Sequence, residues 1–214
     1  MQLKKLLFLS ALFVLGLTLS AQASNIGNGP PDQGGASDLN TYVEADHFTT
    51  ASETLITQVE FWVLATAPSD YAGSIYWAID ADGAGAPGTV LFSGLASATG
   101  TATGSTPFGL NEYTYAFNTS VVLSAFTNYW LVLHNGPADS DPSLTGSTFY
   151  WETSSAYSGN SQSSLLGPPT WSSNDNELAF QLTAAKAPEP ASLCLVGAGL
   201  LAAGLKRRKI AAKN

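Results

Sequence analysis

The chain is predicted to fold as an all-β, antiparallel β-sandwich of jelly-roll type, and three observations predict it. Apolar residues alternate with period two over short stretches of the middle of the chain. Those stretches are rich in Val, Ile, Thr, Tyr, Phe and Trp, and Gly, Pro, Asn and Asp clusters separate them. No stretch of the middle keeps a 3.6-residue period, and charged residues make up only 11% of the chain, which leaves little material for a helix surface.

Eight strands are expected in turn: Thr41–Phe48, Leu55–Leu64, Gly73–Asp80, Thr89–Ser93, Tyr113–Asn118, Tyr129–Asn135, Thr148–Ser154 and Glu177–Thr183. In the second, Val59, Phe61 and Val63 share one face opposite Glu60, Trp62 and Leu64. In the third, Ile75, Trp77 and Ile79 oppose Tyr76 and Ala78. The fourth follows the turn Gly85-Ala86-Pro87-Gly88. Tyr129–Asn135 is apolar on both faces, Tyr129, Leu131 and Leu133 against Trp130 and Val132, which suits a central strand covered on both sides; His134 ends it on the Trp130 face.

Charge divides the chain sharply. Lys4, Lys5, Lys186, Lys206, Arg207, Arg208, Lys209 and Lys213 are its only basic residues, so none lies between Ser24 and Ala185. Residues 24–186 hold fifteen acids and one base, Lys186, and fifteen minus one leaves a formal charge of −14. Nucleic acid is excluded as a partner, because nothing there neutralises phosphates. Anionic polysaccharide is repelled unless a divalent cation bridges it. Stability must come from apolar burial and backbone hydrogen bonds, since no carboxylate of this segment has a Lys or Arg partner within it apart from Lys186. The one cysteine, Cys194, lies near the C-terminus, so the middle has neither a disulfide nor a thiol.

Both ends read as addresses. Residues 1–23 have the form of a secretory signal: Lys4 and Lys5, then an apolar run from Leu6 to Leu19, then the small-x-small pattern Ala21-Gln22-Ala23 with cleavage expected before Ser24. The run is too short to span a bilayer, which takes about 20 apolar residues. At the other end Pro188-Glu189-Pro190 precedes a Leu-, Ala- and Gly-rich run to Leu205 and the cluster Lys206-Arg207-Arg208-Lys209. That cluster is a cytoplasmic anchor by the positive-inside rule, which leaves the acidic middle outside the inner membrane during a transient insertion. The expected organisation is a signal at 1–23, an extracytoplasmic sandwich at 24–186, a sorting segment at 187–209 with a transmembrane helix, and a tail at 210–214.

Residues 187–209 resemble the PEP-CTERM sorting signal of exopolysaccharide-producing Gram-negative bacteria, in which a Pro-Glu-Pro motif, a short apolar helix and an arginine-rich end occur in that order. The resemblance implies recognition of Pro188, Glu189 and Pro190 by an exosortase, with signal peptidase as the other processing partner. The middle also resembles the choice-of-anchor β-sandwich domains of bacterial surface proteins. The residues that carry this are Asn28-Gly29-Pro30-Pro31, Val43-Glu44-Ala45-Asp46-His47-Phe48, Ile56-Thr57-Gln58-Val59-Glu60-Phe61-Trp62, the Gly85-to-Thr89 turn, Asn128-Tyr129-Trp130-Leu131 and Leu178-Ala179-Phe180-Gln181-Leu182. It implies a fold and surface display, and no activity.

Chemistry is sparse. The middle has two histidines, His47 and His134, and the chain has no G-x-S-x-G, H-E-x-x-H, Walker A or G-x-G-x-x-G pattern. No enzymatic activity is expected; a glycoside hydrolase using a carboxylate pair such as Glu60 and Glu152 is the most distant reading. No cofactor is expected either, with one alternative: Asp80-Ala81-Asp82-Gly83-Ala84-Gly85 has the alternating oxygens of half a Ca2+ loop, with Asp80 and Asp82 as ligands. An EF-hand is excluded because Ala84 and Leu91 stand where its later ligands belong, and a hairpin turn accounts for the same residues. Trp62, Trp151 and Trp171 neighbour polar groups and form a candidate platform for neutral sugar rings, against the reading that they belong to the core. The expected role is that of an exported, exosortase-processed structural or adhesive protein of the exopolysaccharide layer, with a carbohydrate- or calcium-binding module as the alternative.

Overall fold

The computed structural model describes residues 23–137, 147–156, 160–165 and 170–186, which hold fourteen strands and no α-helix. In chain order they are β1 (Ala23–Ile26), β2 (Pro31–Asp38), β3 (Tyr42–Thr50), β4 (Thr54–Ala65), β5 (Ile75–Asp82), β6 (Pro87–Ala96), β7 (Thr99–Ala102), β8 (Asn111–Leu123), β9 (Thr127–Asn135), β10 (Phe149–Ser154), β11 (Gln162–Leu165), β12 (Ser172–Ser173), β13 (Glu177–Leu178) and β14 (Phe180–Lys186). Six of them form one sheet in the order β12-β11-β3-β9-β5-β6. The other eight form a second sheet that branches at β4 and β10: the path β1-β14-β4-β10-β13 is joined by β2 on β10 and by β8, then β7, on β4. Every ladder is antiparallel.

The two sheets close on one apolar core, which makes the fold a sandwich. Val59, Phe61 and Val63 of β4, one face of the strand, are fully buried and share the core with Ile75, Ile79, Leu131 and Leu133 of the other sheet. Trp151 stands edge-on to Phe61 and Phe180, with ring centroids 6.3 and 6.1 Å away, an arrangement aromatic quadrupoles favour. β9 is central, flanked by β3 and β5. Its outer face is covered in part, since Trp130 and Val132 cluster with Ala45 and Ala78, and Val43, Tyr76 and Trp171 pack against them.

All eight expected strands are present, most of them longer than their alternation indicated. The segment expected as one strand over Glu177–Thr183 is divided at Ala179. Glu177 and Leu178 pair with β10, whereas Phe180 onward pairs with β4. Ala179 bridges them: its N–H donates to Glu152 O at 2.8 Å, and its carbonyl accepts from Trp62 N at 3.3 Å and Trp151 Nε1 at 2.8 Å. Five strands went unanticipated: β1, β2, β7, β11 and β12. They are built from small and polar residues such as Pro-Asp-Gln-Gly-Gly-Ala-Ser-Asp and Thr-Gly-Thr-Ala, so pairing with a neighbour, not a hydrophobic face, makes them strands.

β1 and β14 lie side by side, with Ala23 opposite Ala185 and Ser24 opposite Ala184. The chain therefore enters and leaves the sandwich at one place. The cleavage expected before Ser24 falls inside the first strand. Ala21, the remainder of the signal, the expected transmembrane helix, Pro188, Glu189, Pro190 and the basic cluster Lys206, Arg207, Arg208 and Lys209 lie outside the described residues.

Candidate metal centre

Sheet pairing brings together three side chains that are far apart in sequence. β11 pairs with β3 only from Tyr42 to Ala45, so the strand's next two residues, Asp46 and His47, lie beyond that cover. β13 brings Glu177 to the same place from the opposite sheet. The turn between β1 and β2, with Gly27 at φ 126° and Gly29 at φ 80°, aims Asn28 between them.

Asp46, His47 and Glu177 each offer a donor atom, and these atoms all lie within 4.8 Å of one another. His47 Nδ1 is 3.7 Å from Asp46 Oδ1 and 3.9 Å from Glu177 Oε2. Both carboxylates are almost wholly buried, and the His47 side chain is 30% exposed. The Asn28 amide donates to Asp46 Oδ2 at 2.9 Å, Glu177 Oε2 at 2.7 Å and Leu178 O at 3.2 Å. Further donors converge: Leu178 N on Asp46 Oδ2, His47 N on Asp46 Oδ1 at 2.7 Å, and Asn160 N on Glu177 Oε1 at 3.0 Å. The imidazole packs on Trp130, ring centroids 5.9 Å apart.

Electrostatics follow from this burial. Asp46 is pushed up to about 7, chiefly because its carboxylate has left water, with the neighbouring Glu177 charge adding to the effect and the His47 contact opposing it. His47 is also raised, first by its contact with Asp46, then by the Glu177 and Asp82 charges, against its own burial. His47 thus faces two carboxylates in a cluster that a count of lysine and arginine overlooks. His134 behaves oppositely. It is fully buried, its ring nitrogens lie 3.3 Å from Gly136 O and 3.4 Å from Asn40 O, and burial lowers its basicity.

The residues singled out from sequence have other surroundings. Asp80 and Asp82 stand on the β5–β6 hairpin, whose loop closes through Gly83 N to Ala86 O at 2.8 Å. Asp82 Oδ1 accepts from Gly85 N at 3.1 Å and from Trp130 Nε1 at 3.0 Å, as a turn-forming aspartate does. Asp80 is buried beside it and raised to about 6 by desolvation. Trp151 corrects the sugar-platform expectation: its ring is 0% exposed and its Nε1 is bonded to Ala179 O, so it offers no face to a ligand. Trp62 and Trp171 remain half-buried, on different sheets. Glu152 is likewise sealed, 0% exposed, so no substrate reaches it, which removes it from the carboxylate pair suggested with Glu60.

Asp46, His47, Glu177 and Asn28 were not anticipated as a site. The one local hint was an Asp-His dipeptide, which by itself has no metal-ligand spacing.

The comparison with known families adds the tail. Residues 186–209 match the PEP-CTERM protein-sorting motif. The match contains the Pro188-Glu189-Pro190 element, the apolar run and the basic cluster. It implies an exported protein that takes an exosortase-dependent sorting route through the membrane to the cell surface. No family match confirms the choice-of-anchor resemblance of the sandwich. No curated protein matches the chain.

Proposed function

We propose that this PEP-CTERM-bearing protein is a structural or adhesive component of the exopolysaccharide layer. The observation that carries this reading is β6. It borders its sheet, pairs with β5 on one side, and shows solvent the side chains of Val90, Leu91, Phe92 and Leu95 at 50, 45, 38 and 59% exposure. The β5–β6 register shifts at Leu91, a bulge of the kind that guards an edge, yet these four apolar side chains stay open to solvent. An edge apolar on successive residues serves a protein that adheres, to matrix or to its neighbours.

The test has two arms. Replacing Pro188, Glu189 and Pro190 with alanine should leave the protein unprocessed in the inner-membrane fraction. Phe92→Ser with Leu95→Ser should leave processing intact and release the protein from the matrix several-fold more readily in a salt wash. Equal retention of the double variant overturns the adhesive role and leaves the sorting route standing.

A second reading, a neutral-glycan module, draws on Trp171, which packs with Val43 and Tyr76 over Trp130 on the outer face of the six-stranded sheet. Retention on a neutral polysaccharide, lost in Trp171→Ala and Trp62→Ala, would favour it over the adhesive edge.

A further inference from the structure

We propose that Asp46, His47 and Glu177, joined by Asn28, bind one borderline divalent cation, Zn2+ before Ca2+, and that this ion ties the two sheets together. The inference goes beyond the adhesive role and does not depend on it.

Two observations converge. The first is geometric: an imidazole nitrogen and two carboxylate oxygens come within 4.8 Å of one another from elements of opposite sheets. The second is the imidazole itself. His47 Nδ1 is shut off from solvent and makes no hydrogen bond, although it faces both carboxylates at 3.7 and 3.9 Å. Those gaps are too long for hydrogen bonds. In a tetrahedral zinc site, with bonds of about 2.0 to 2.2 Å, ligand atoms sit about 3.3 Å apart, so each of these two gaps closes by about half an ångström when an ion is bound.

Asn28 supplies the fourth ligand. Its amide nitrogen lies against both carboxylates, 2.9 and 2.7 Å away. The two ends of an amide are nearly isosteric, so a half-turn puts Oδ1 where Nδ2 now points. The donor set decides the metal. Ca2+ takes six to eight oxygens, whereas a compact set with an imidazole suits Zn2+ or its borderline neighbours. Asn160 N on Glu177 Oε1 and Leu178 N on Asp46 Oδ2 orient the carboxylates from behind, as outer hydrogen bonds do in metal sites.

The experiment uses the exported protein purified from its producing cell, stripped with chelator and titrated with ZnCl2 or CaCl2 by calorimetry. One Zn2+ per chain is expected, with a raised melting temperature. Binding should weaken at least tenfold in His47→Gln and be unchanged in Glu60→Gln. Cobalt gives a reading that needs no variant: Co2+ should produce the intense visible absorption of a four-coordinate N/O site. Absence of Zn2+ binding, Zn2+ binding unaltered by His47→Gln, tighter binding of Ca2+, or a pale six-coordinate Co2+ spectrum would each overturn the proposal.

Discussion

Glu152 makes this protein's stability depend on pH in the direction opposite to most carboxylates. Its side chain is 0% exposed, and neither of its oxygens receives a hydrogen bond from a group with a fixed proton. Glu112 faces it from β8, itself buried and within 3.4 Å of Gln33 Nε2, and Asp32 adds a third negative charge. Burial, then the Glu112 charge and contact, then Asp32 push Glu152 from 4.5 up to about 8. Folded Glu152 therefore keeps a proton that the unfolded chain releases. Its stabilising contribution is complete below about 4.5 and is lost as pH rises through about 8. Within that window one group changes stability by up to about 1.4 kcal/mol per pH unit. For a domain of this size that corresponds to a fall of about 3 to 6 °C in Tm per unit. Glu152→Gln keeps the shape and faces Glu112 with an amide while removing the titration. Urea denaturation followed by tryptophan fluorescence at intervals from pH 5 to 9 should show the variant close to the parent near pH 5, increasingly more stable as pH rises towards 8, and level above that. A stability difference between the two that stays constant across the range would refute the reasoning.

Other consequences follow from the same core. Trp151→Ala should cost about 3 to 5 kcal/mol, because it empties the centre of the Phe61–Phe180 aromatic cluster and leaves Ala179 O without its indole donor. Urea denaturation should show this loss with no dependence on any glycan. Gly27→Ala should destabilise by more than the usual ~1 kcal/mol of a glycine replacement, since its Cβ would meet Phe180 O at 2.6 Å and its φ of 126° excludes a side chain. The same variant should displace Asn28 and weaken Zn2+ binding, read by calorimetry.

The legible part of the fold was the part that buries a face. In β4 and β5 the alternation grouped Val59-Phe61-Val63 and Ile75-Trp77-Ile79 each on one face, and the structure turns those faces to the core. β2 and β11 escaped because Gly-Gly-Ala-Ser and Gln-Ser-Ser-Leu have no face to bury; they are strands because β10 and β3 offer them a ladder. Among the site residues, Asp46 and His47 fell inside an expected strand, but Glu177 is 131 positions from Asp46 and meets it through sheet order. Spacing rules for metal ligands describe local turns and helices, and cannot see a pair brought together by topology. The tail was readable for the opposite reason: an address is a linear string, recognised as such.

The same topology connects sorting to the folded domain. β1 and β14 are paired, and the sorting match begins at residue 186, the last residue of β14. The sorting motif thus starts where this pair of strands ends. A cut at the expected site before Ser24 would have to precede or accompany the docking of β1 on β14, because the Ala23–Ala185 partnership places that bond inside a ladder. Asn28 follows β1 directly and reaches the Asp46–Glu177 cluster, so docking of β1 also completes the candidate metal centre. Closure of the sheet edge and assembly of the candidate site are thereby tied to one event: the seating of the first strand.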